Sequence, residues 1–154
     1  MIYIIEDNTL KAKKIINFLE EEILYPKEIR AFASFQSGLR AVEAACPSLV
    51  ILDMTLPTFD RKPNSREGRS RPLGGYDLMR KMKLKSLSSP VIVLTQLEAF
   101  GEDEAEVSFE EITNRCHREF PDIFIGSVYF DQSETTWKTS LKQLIEKVIG
   151  NNEC

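Results

Sequence analysis

Short, unbroken apolar runs alternate along this chain with segments whose apolar residues recur every three or four positions. The runs are Ile2 to Ile5, Ile29 to Ala33, Leu49 to Leu52, Val91 to Leu94 and a stretch within Ile123 to Phe130. A strand that faces solvent on one side alternates apolar and polar residues. A continuous apolar run is buried on both faces, as in a parallel sheet covered by helices. The intervening segments carry helical stripes: Ile15, Ile16, Leu19 and Ile23; then Leu39, Val42, Ala45 and Cys46; then Leu78, Met79 and Met82 within 76–84. Two more follow: Phe109, Ile112, Cys116 and Phe120; then Trp137, Leu141, Leu144, Ile145 and Val148. Asn8 or Thr9 is suited to cap the first helix, Pro26 and Pro47 stop the first two, and Gly150 closes the last. The expected class is α/β, with a (βα)5 order and a parallel sheet between helices.

At 154 residues the chain suits one domain, expected over 1–150 with a tail at 151–154. Its net charge of -4 is unlike that of a general nucleic-acid binder, which is usually basic. No segment nears the roughly 20 apolar residues of a membrane helix, and no cationic leader precedes Ile2. The odd count of cysteines (Cys46, Cys116 and Cys154, with no CxxC pair) argues against a disulfide framework or a zinc site. A cytoplasmic setting, with no direct membrane or nucleic-acid partner, is the expectation.

Ligands of open parallel sheets bind outside the carboxyl ends of the strands. Here the first strand ends in Glu6-Asp7, the third in Asp53 and the fourth in Thr95. Three converging carboxylates repel one another unless a cation joins them, and hard oxygen ligands suit Mg²⁺. A carboxylate so neutralised is able to attack phosphorus, and the Thr95 hydroxyl is able to donate to a phosphoryl oxygen. The bland alternative is that acids at strand ends are simply solvated. His117 is expected at the surface, Trp137 in the core, and no P-loop or GxGxxG fingerprint is present.

The segments IIED (4–7), LVILDMTLP (49–57) and PVIVLT (90–95) resemble, in order and spacing, the motifs of response-regulator receiver domains, the CheY-like family. Gly75-Tyr76-Asp77-Leu78 is similar to that family's glycine and following helix, and Pro57 to its loop proline. The resemblance implies a flavodoxin-like, doubly wound five-stranded sheet of order 2-1-3-4-5. It implies Asp53 as the acceptor of phosphate from a histidine kinase or phosphotransfer protein. It further implies Mg²⁺ held by Asp53, Asp7 and, usually through water, Glu6, with Thr95 following the new phosphoryl group. Output to a downstream protein, or homodimerisation, is implied through the face of helix four, strand five and helix five. With little chain beyond helix five, no attached output domain is expected.

Three departures stand beside the resemblance. The family's lysine at the end of strand five, and the proline after it, are missing; Asp131, or else Gln132, takes the lysine position. The aromatic switch position falls on Val128, or on Tyr129 after a one-residue slip, and Tyr129 is the switch candidate; its plain alternative is a packed strand aromatic. Gln96 follows Thr95 where the family prefers a small residue, and there it narrows access to Asp53. Two charged insertions also break the rhythm. Residues 61–74 carry five cations (Arg61, Lys62, Arg66, Arg69, Arg71) against Glu67, a net of +4. Residues 98–111 carry seven acids and no Lys or Arg, a net of -7. Both are expected as solvated surface, or as partners in a lid over Asp53, or with the arginines binding an acidic partner or replacing the missing lysine. The functional expectation is a Mg²⁺-dependent phosphoryl acceptor, with no enzyme activity beyond transfer to and from Asp53. The alternative is a pseudo-receiver, a binding module that keeps the fold without the switch. An aspartyl-phosphate phosphohydrolase is disfavoured, because DMT at 53–55 lacks the second Asp of DxDxT enzymes.

Overall fold

A computed structural model describes residues 1–60, 70–97, 99–101 and 106–149. Strands β1 (Ile2–Ile5), β2 (Ile29–Phe32), β3 (Leu49–Leu52), β6 (Val91–Thr95) and β9 (Phe124–Tyr129) form one five-stranded sheet in the order β2-β1-β3-β6-β9. All of its pairings are parallel. Counted by these strands alone the order is 2-1-3-4-5, as the resemblance implies. Helices α1 (Thr9–Glu21), α2 (Phe35–Ala45), α3 (Gly74–Leu84), α4 (Phe109–Glu119) and α5 (Thr136–Ile149) complete the (βα)5 repeat.

Alternate residues of each strand feed opposite faces, so one sheet builds two cores. Ile2, Ile4, Leu49, Ile51, Ile92 and Leu94 pack with Ile15, Phe18 and Leu19 of α1 and Trp137, Leu141 and Ile145 of α5. Tyr3, Ile5, Val50, Leu52, Val91 and Val93 pack with α2, α3 and α4 on the other face. Trp137 is buried, as expected, between the rings of Phe18 and Phe130. His117 is exposed, also as expected. The second helical stripe differs from expectation. Phe35, Gly38, Leu39 and Val42 face inward, and Ala45 and Cys46 are exposed, because α2 ends at Ala45.

The two irregular stretches are more ordered at their bases than a loop reading suggests. Leu56–Pro57 (β4) pairs antiparallel with Ser70–Arg71 (β5), which clamps both sides of residues 61–69. Ala99–Phe100 (β7) pairs likewise with Val107–Ser108 (β8). Phe100 is buried in the core and anchors the second stretch. Glu110 and Glu111 lie not in an insertion but in the first turn of α4, where acids suit the helix dipole. Ser108 caps that turn by accepting from the Glu111 backbone N–H at 3.1 Å. Arg61, Lys62, Arg66, Arg69, Glu98, Glu102, Asp103, Glu104 and the tail at 151–154 lie outside the described residues.

Helix α3 begins at Gly74 rather than Tyr76, and the reason bears on the site. Gly75 donates its N–H to the Met54 carbonyl at 2.8 Å. A Cβ at Gly75 would lie 2.6 Å from the Asp53 carbonyl oxygen and 3.0 Å from the Met54 Cα. Both neighbours are backbone, so neither can swing aside. Only glycine lets α3 dock against the turn that carries Asp53. Gly75→Ala is expected to lower unfolding free energy by about 1–3 kcal/mol, the usual cost of overpacking, read as a lower urea midpoint.

Candidate functional site

The parallel register brings the ends of β1 and β3 side by side, with Ile5 opposite Leu52. Asp53 follows directly and donates its backbone N–H to the Ile5 carbonyl at 3.0 Å. Glu6, Asp7 and Asp53 thereby converge, each offering a carboxylate oxygen within 4.8 Å of the others. Glu6 is buried, whereas Asp7 and Asp53 are partly exposed. Asp53 Oδ1 accepts from the Met54 backbone N–H at 2.8 Å, which orients the carboxylate on its turn.

Local sequence holds Glu6. Its Oε2 accepts from the Asn8 backbone N–H at 3.0 Å. Asn8, rather than Thr9, is the N-cap of α1, and its side chain accepts from the Lys11 backbone N–H at 3.1 Å. The strand end, the cap and the first helical turn therefore form one hydrogen-bonded unit. Its last member, Lys11, is 1% exposed, and its Nζ sits 2.5 Å from Glu6 Oε1, 3.5 Å from Asp53 Oδ1 and 2.7 Å from the Leu94 carbonyl oxygen, to which it donates. The sequence reading missed this residue. A signal existed: Lys11, Ile15 and Leu19 are spaced by four, so Lys11 lies on the apolar stripe of α1. Adjacent Lys13 and Lys14, both exposed, make the stretch resemble an ordinary basic surface.

Burial pushes the Glu6 carboxyl up from 4.5 to about 8, and the charge of Asp53 adds to the rise; Lys11 and the Asn8 N–H oppose it without cancelling it. Folded protein then binds a proton at Glu6 that the unfolded chain has released. This contribution to stability is full below pH 4.5 and is lost as pH rises through about 8. In metal-free buffer the urea midpoint is expected to fall between those limits, and Glu6→Gln to flatten that fall.

The other expected site residues are placed less directly. Thr95 is buried at the end of β6, and its Oγ1 accepts weakly from the Leu97 N–H at 3.5 Å. A register shift between Val91 and Ile92 slips β9 by one residue and sets Tyr129 opposite Thr95. That bulge is why spacing alone left Val128 and Tyr129 as alternatives. Val128 is core, and Tyr129 is 40% exposed with its ring edge-on to Phe109 of α4. Gln96 is exposed and accepts from Gln132 at 3.2 Å, tying together the segments that follow β6 and β9.

Asp131 is not among the clustered carboxylates. Its carboxylate accepts from the Ser133 N–H and hydroxyl at 2.9 and 2.8 Å, and these bonds hold its pKa below the ordinary value. Arg71 is engaged with other groups. It donates to Thr58 at 3.0 Å, faces Asp77 at 3.6 Å and lies 4.3 Å above the Phe35 ring. Among the described residues no ion pair joins the basic stretch to the acidic one.

Comparison with known proteins bears on the fold. No family model matches the chain. It is 29% identical over 150 residues to a Detocs response regulatory protein from Enterobacter cloacae, covering 96% of this chain and all of that one. Among solved structures, a chain of the CheX–CheY–BeF3–Mg²⁺ complex from Borrelia burgdorferi matches with a TM-score of 0.63 at 15% identity, over 96% of this chain and 87% of that one. The receiver domain of a Pseudomonas aeruginosa sensor histidine kinase matches with a TM-score of 0.60 at 17% identity, over 97% of each chain. That structure holds a magnesium ion in its active-site cleft. The fold is that of a response-regulator receiver domain. In this fold the carboxylates of Glu6, Asp7 and Asp53 lie together. Among the described residues no helix is long and apolar enough to cross a membrane.

Proposed function

We infer that this receiver domain accepts a phosphoryl group on Asp53 and signals through protein contact. The observation that carries the reading is the convergence of Glu6, Asp7 and Asp53 within 4.8 Å at the carboxyl edge of the sheet. The donor set suits Mg²⁺, being all oxygen and partly open to solvent. Asp7 and Asp53 would hold the ion, with Glu6 behind them because its own oxygens already face Lys11 and Asn8. Bound there, the ion would offset charge on the transferring group.

In transfer, an oxygen of Asp53 forms a bond to phosphorus as the donor's bond to phosphorus breaks. The departing group keeps the electron pair. Asp53 gives up no proton, and water later ends the modification by attacking phosphorus, which displaces the carboxylate and releases inorganic phosphate. The Met54 N–H orients the nucleophile, and Thr95 is the candidate donor to a phosphoryl oxygen. Readout on this reading runs through the face of α4, β9 and α5, where Tyr129 lies exposed beside Phe109. The donor is a histidine kinase or phosphotransfer protein, and the recipient a downstream protein or a second copy of the chain. The setting is the cytoplasm.

One observation favours the pseudo-receiver reading. The ammonium of Lys11, 2.5 Å from Glu6 and 3.5 Å from Asp53, partly neutralises the cluster by itself. Incubation with Mg²⁺ and a small phosphodonor, followed by intact-mass measurement, separates the two. A phosphate adduct is expected on the wild type and not on Asp53→Asn. Unmodified wild type that is also indifferent to beryllofluoride would leave the pseudo-receiver.

A further inference from the structure

We propose that Lys11, delivered from α1, is the cation that contacts the phosphoryl group on Asp53. The inference rests on the phosphoacceptor reading above. It assigns a site residue outside the motifs that suggested that reading.

The end of β9 supplies no cation. Phe130 turns inward there and is 1% exposed, held by its N–H to the Thr95 carbonyl at 2.7 Å. Asp131 and Gln132 are bonded elsewhere, as described. Lys11 Nζ lies 5.5 Å from the centre of the Phe130 ring. An aromatic from the last strand thus forms one wall, and a lysine from the first helix reaches across it to the acids.

Three donors radiate from an ammonium. One goes to the Leu94 carbonyl at 2.7 Å, while Glu6 Oε1 lies 2.5 Å from Nζ as an ion-pair contact. Asp53 Oδ1 also lies near Nζ, at 3.5 Å, a distance at which an ammonium attracts a carboxylate without a strong hydrogen bond. A charge held by two short contacts and set 3.5 Å from the acceptor is preorganised for an anion added there. The Leu94 bond also sets Nζ at the carboxyl end of β6, one residue before Thr95. Lysine and threonine then approach a phosphoryl group from the same strand end, leaving the solvent side of Asp7 and Asp53 for the metal. Lys11 keeps its protons throughout the transfer. Its part is electrostatic: it stabilises the added charge and takes no share in bond making.

Two experiments test this. In the first, Lys11→Met and Lys11→Arg are compared with the wild type by intact mass after Mg²⁺ and a small phosphodonor, with Mg²⁺ binding followed by calorimetry and folding by circular dichroism. Loss of a charge-assisted contact predicts adduct formation about 10- to 100-fold slower in Lys11→Met, with partial recovery in Lys11→Arg and Mg²⁺ binding retained. In the second, the nitrogen resonance of the Lys11 ammonium is followed in unmodified protein, assigned by its absence from Lys11→Arg. It is expected to move when beryllofluoride joins Mg²⁺, beyond any change with Mg²⁺ alone. The second measurement decides the matter if Lys11→Met does not fold.

A folded Lys11→Met that forms adduct at the wild-type rate would overturn the proposal. So would a resonance indifferent to beryllofluoride. Tighter Mg²⁺ binding in Lys11→Met with unchanged adduct formation would also overturn it, reducing Lys11 to a counter-ion of the acids. Wild type that forms no adduct and ignores beryllofluoride would remove the phosphoacceptor reading, and the proposal with it.

Discussion

The contact of Lys11 with Glu6 is the interaction on which the carboxyl edge depends. Ionising a buried carboxyl beside a second carboxylate is costly, and the ammonium 2.5 Å away offsets part of that cost. The opposition is visible in Glu6 itself, whose pKa rises despite its partner. A buried ion pair of this kind is weak support for stability, because desolvation takes back most of the attraction. Its retention in a site is better explained by the charge it presents than by the energy it contributes.

That charge is held in position by apolar construction. The sheet packs helices on both faces through alternate residues of the same strands, and its parallel register aligns the ends of β1 and β3. Gly75 then permits α3 to close against the Asp53 turn, where any side chain would strike backbone. Asn8 performs the matching task on the other strand, joining Glu6 to the first turn of α1. Rigid elements on both sides therefore position the acids and Lys11, the condition under which electrostatic preorganisation is effective.

The charged stretches play a different part. Each is closed at its base by a short antiparallel ladder, and the side chains described there are engaged in structure. Phe100 anchors one stretch in the core, and Arg71 secures the other to Thr58 and Phe35. The cation inside the cluster comes from elsewhere in the chain.

The sequence by itself determined the α/β class, the parallel sheet and the candidate acids. Continuous apolar runs and helical stripes are local patterns, and strand ends in a parallel sheet converge by geometry alone. Glu6, Asp7 and Asp53 were legible for that reason, and the structure brings their carboxylates together. Tertiary structure decided the rest. A bulge in β9 chose Tyr129 over Val128 opposite Thr95, and strand spacing does not reveal a bulge. The missing lysine directed attention to the end of β9 and to the arginines of 61–74, both of which lie near the acids in sequence order or topology. Lys11 escaped notice because a lysine after a helix cap reads as solvated surface. Only the fold shows that its stem crosses the sheet edge to Leu94, 83 residues away. Residue type and spacing specify which groups a helix carries, but the partner that turns a surface charge into a buried one comes from a distant strand.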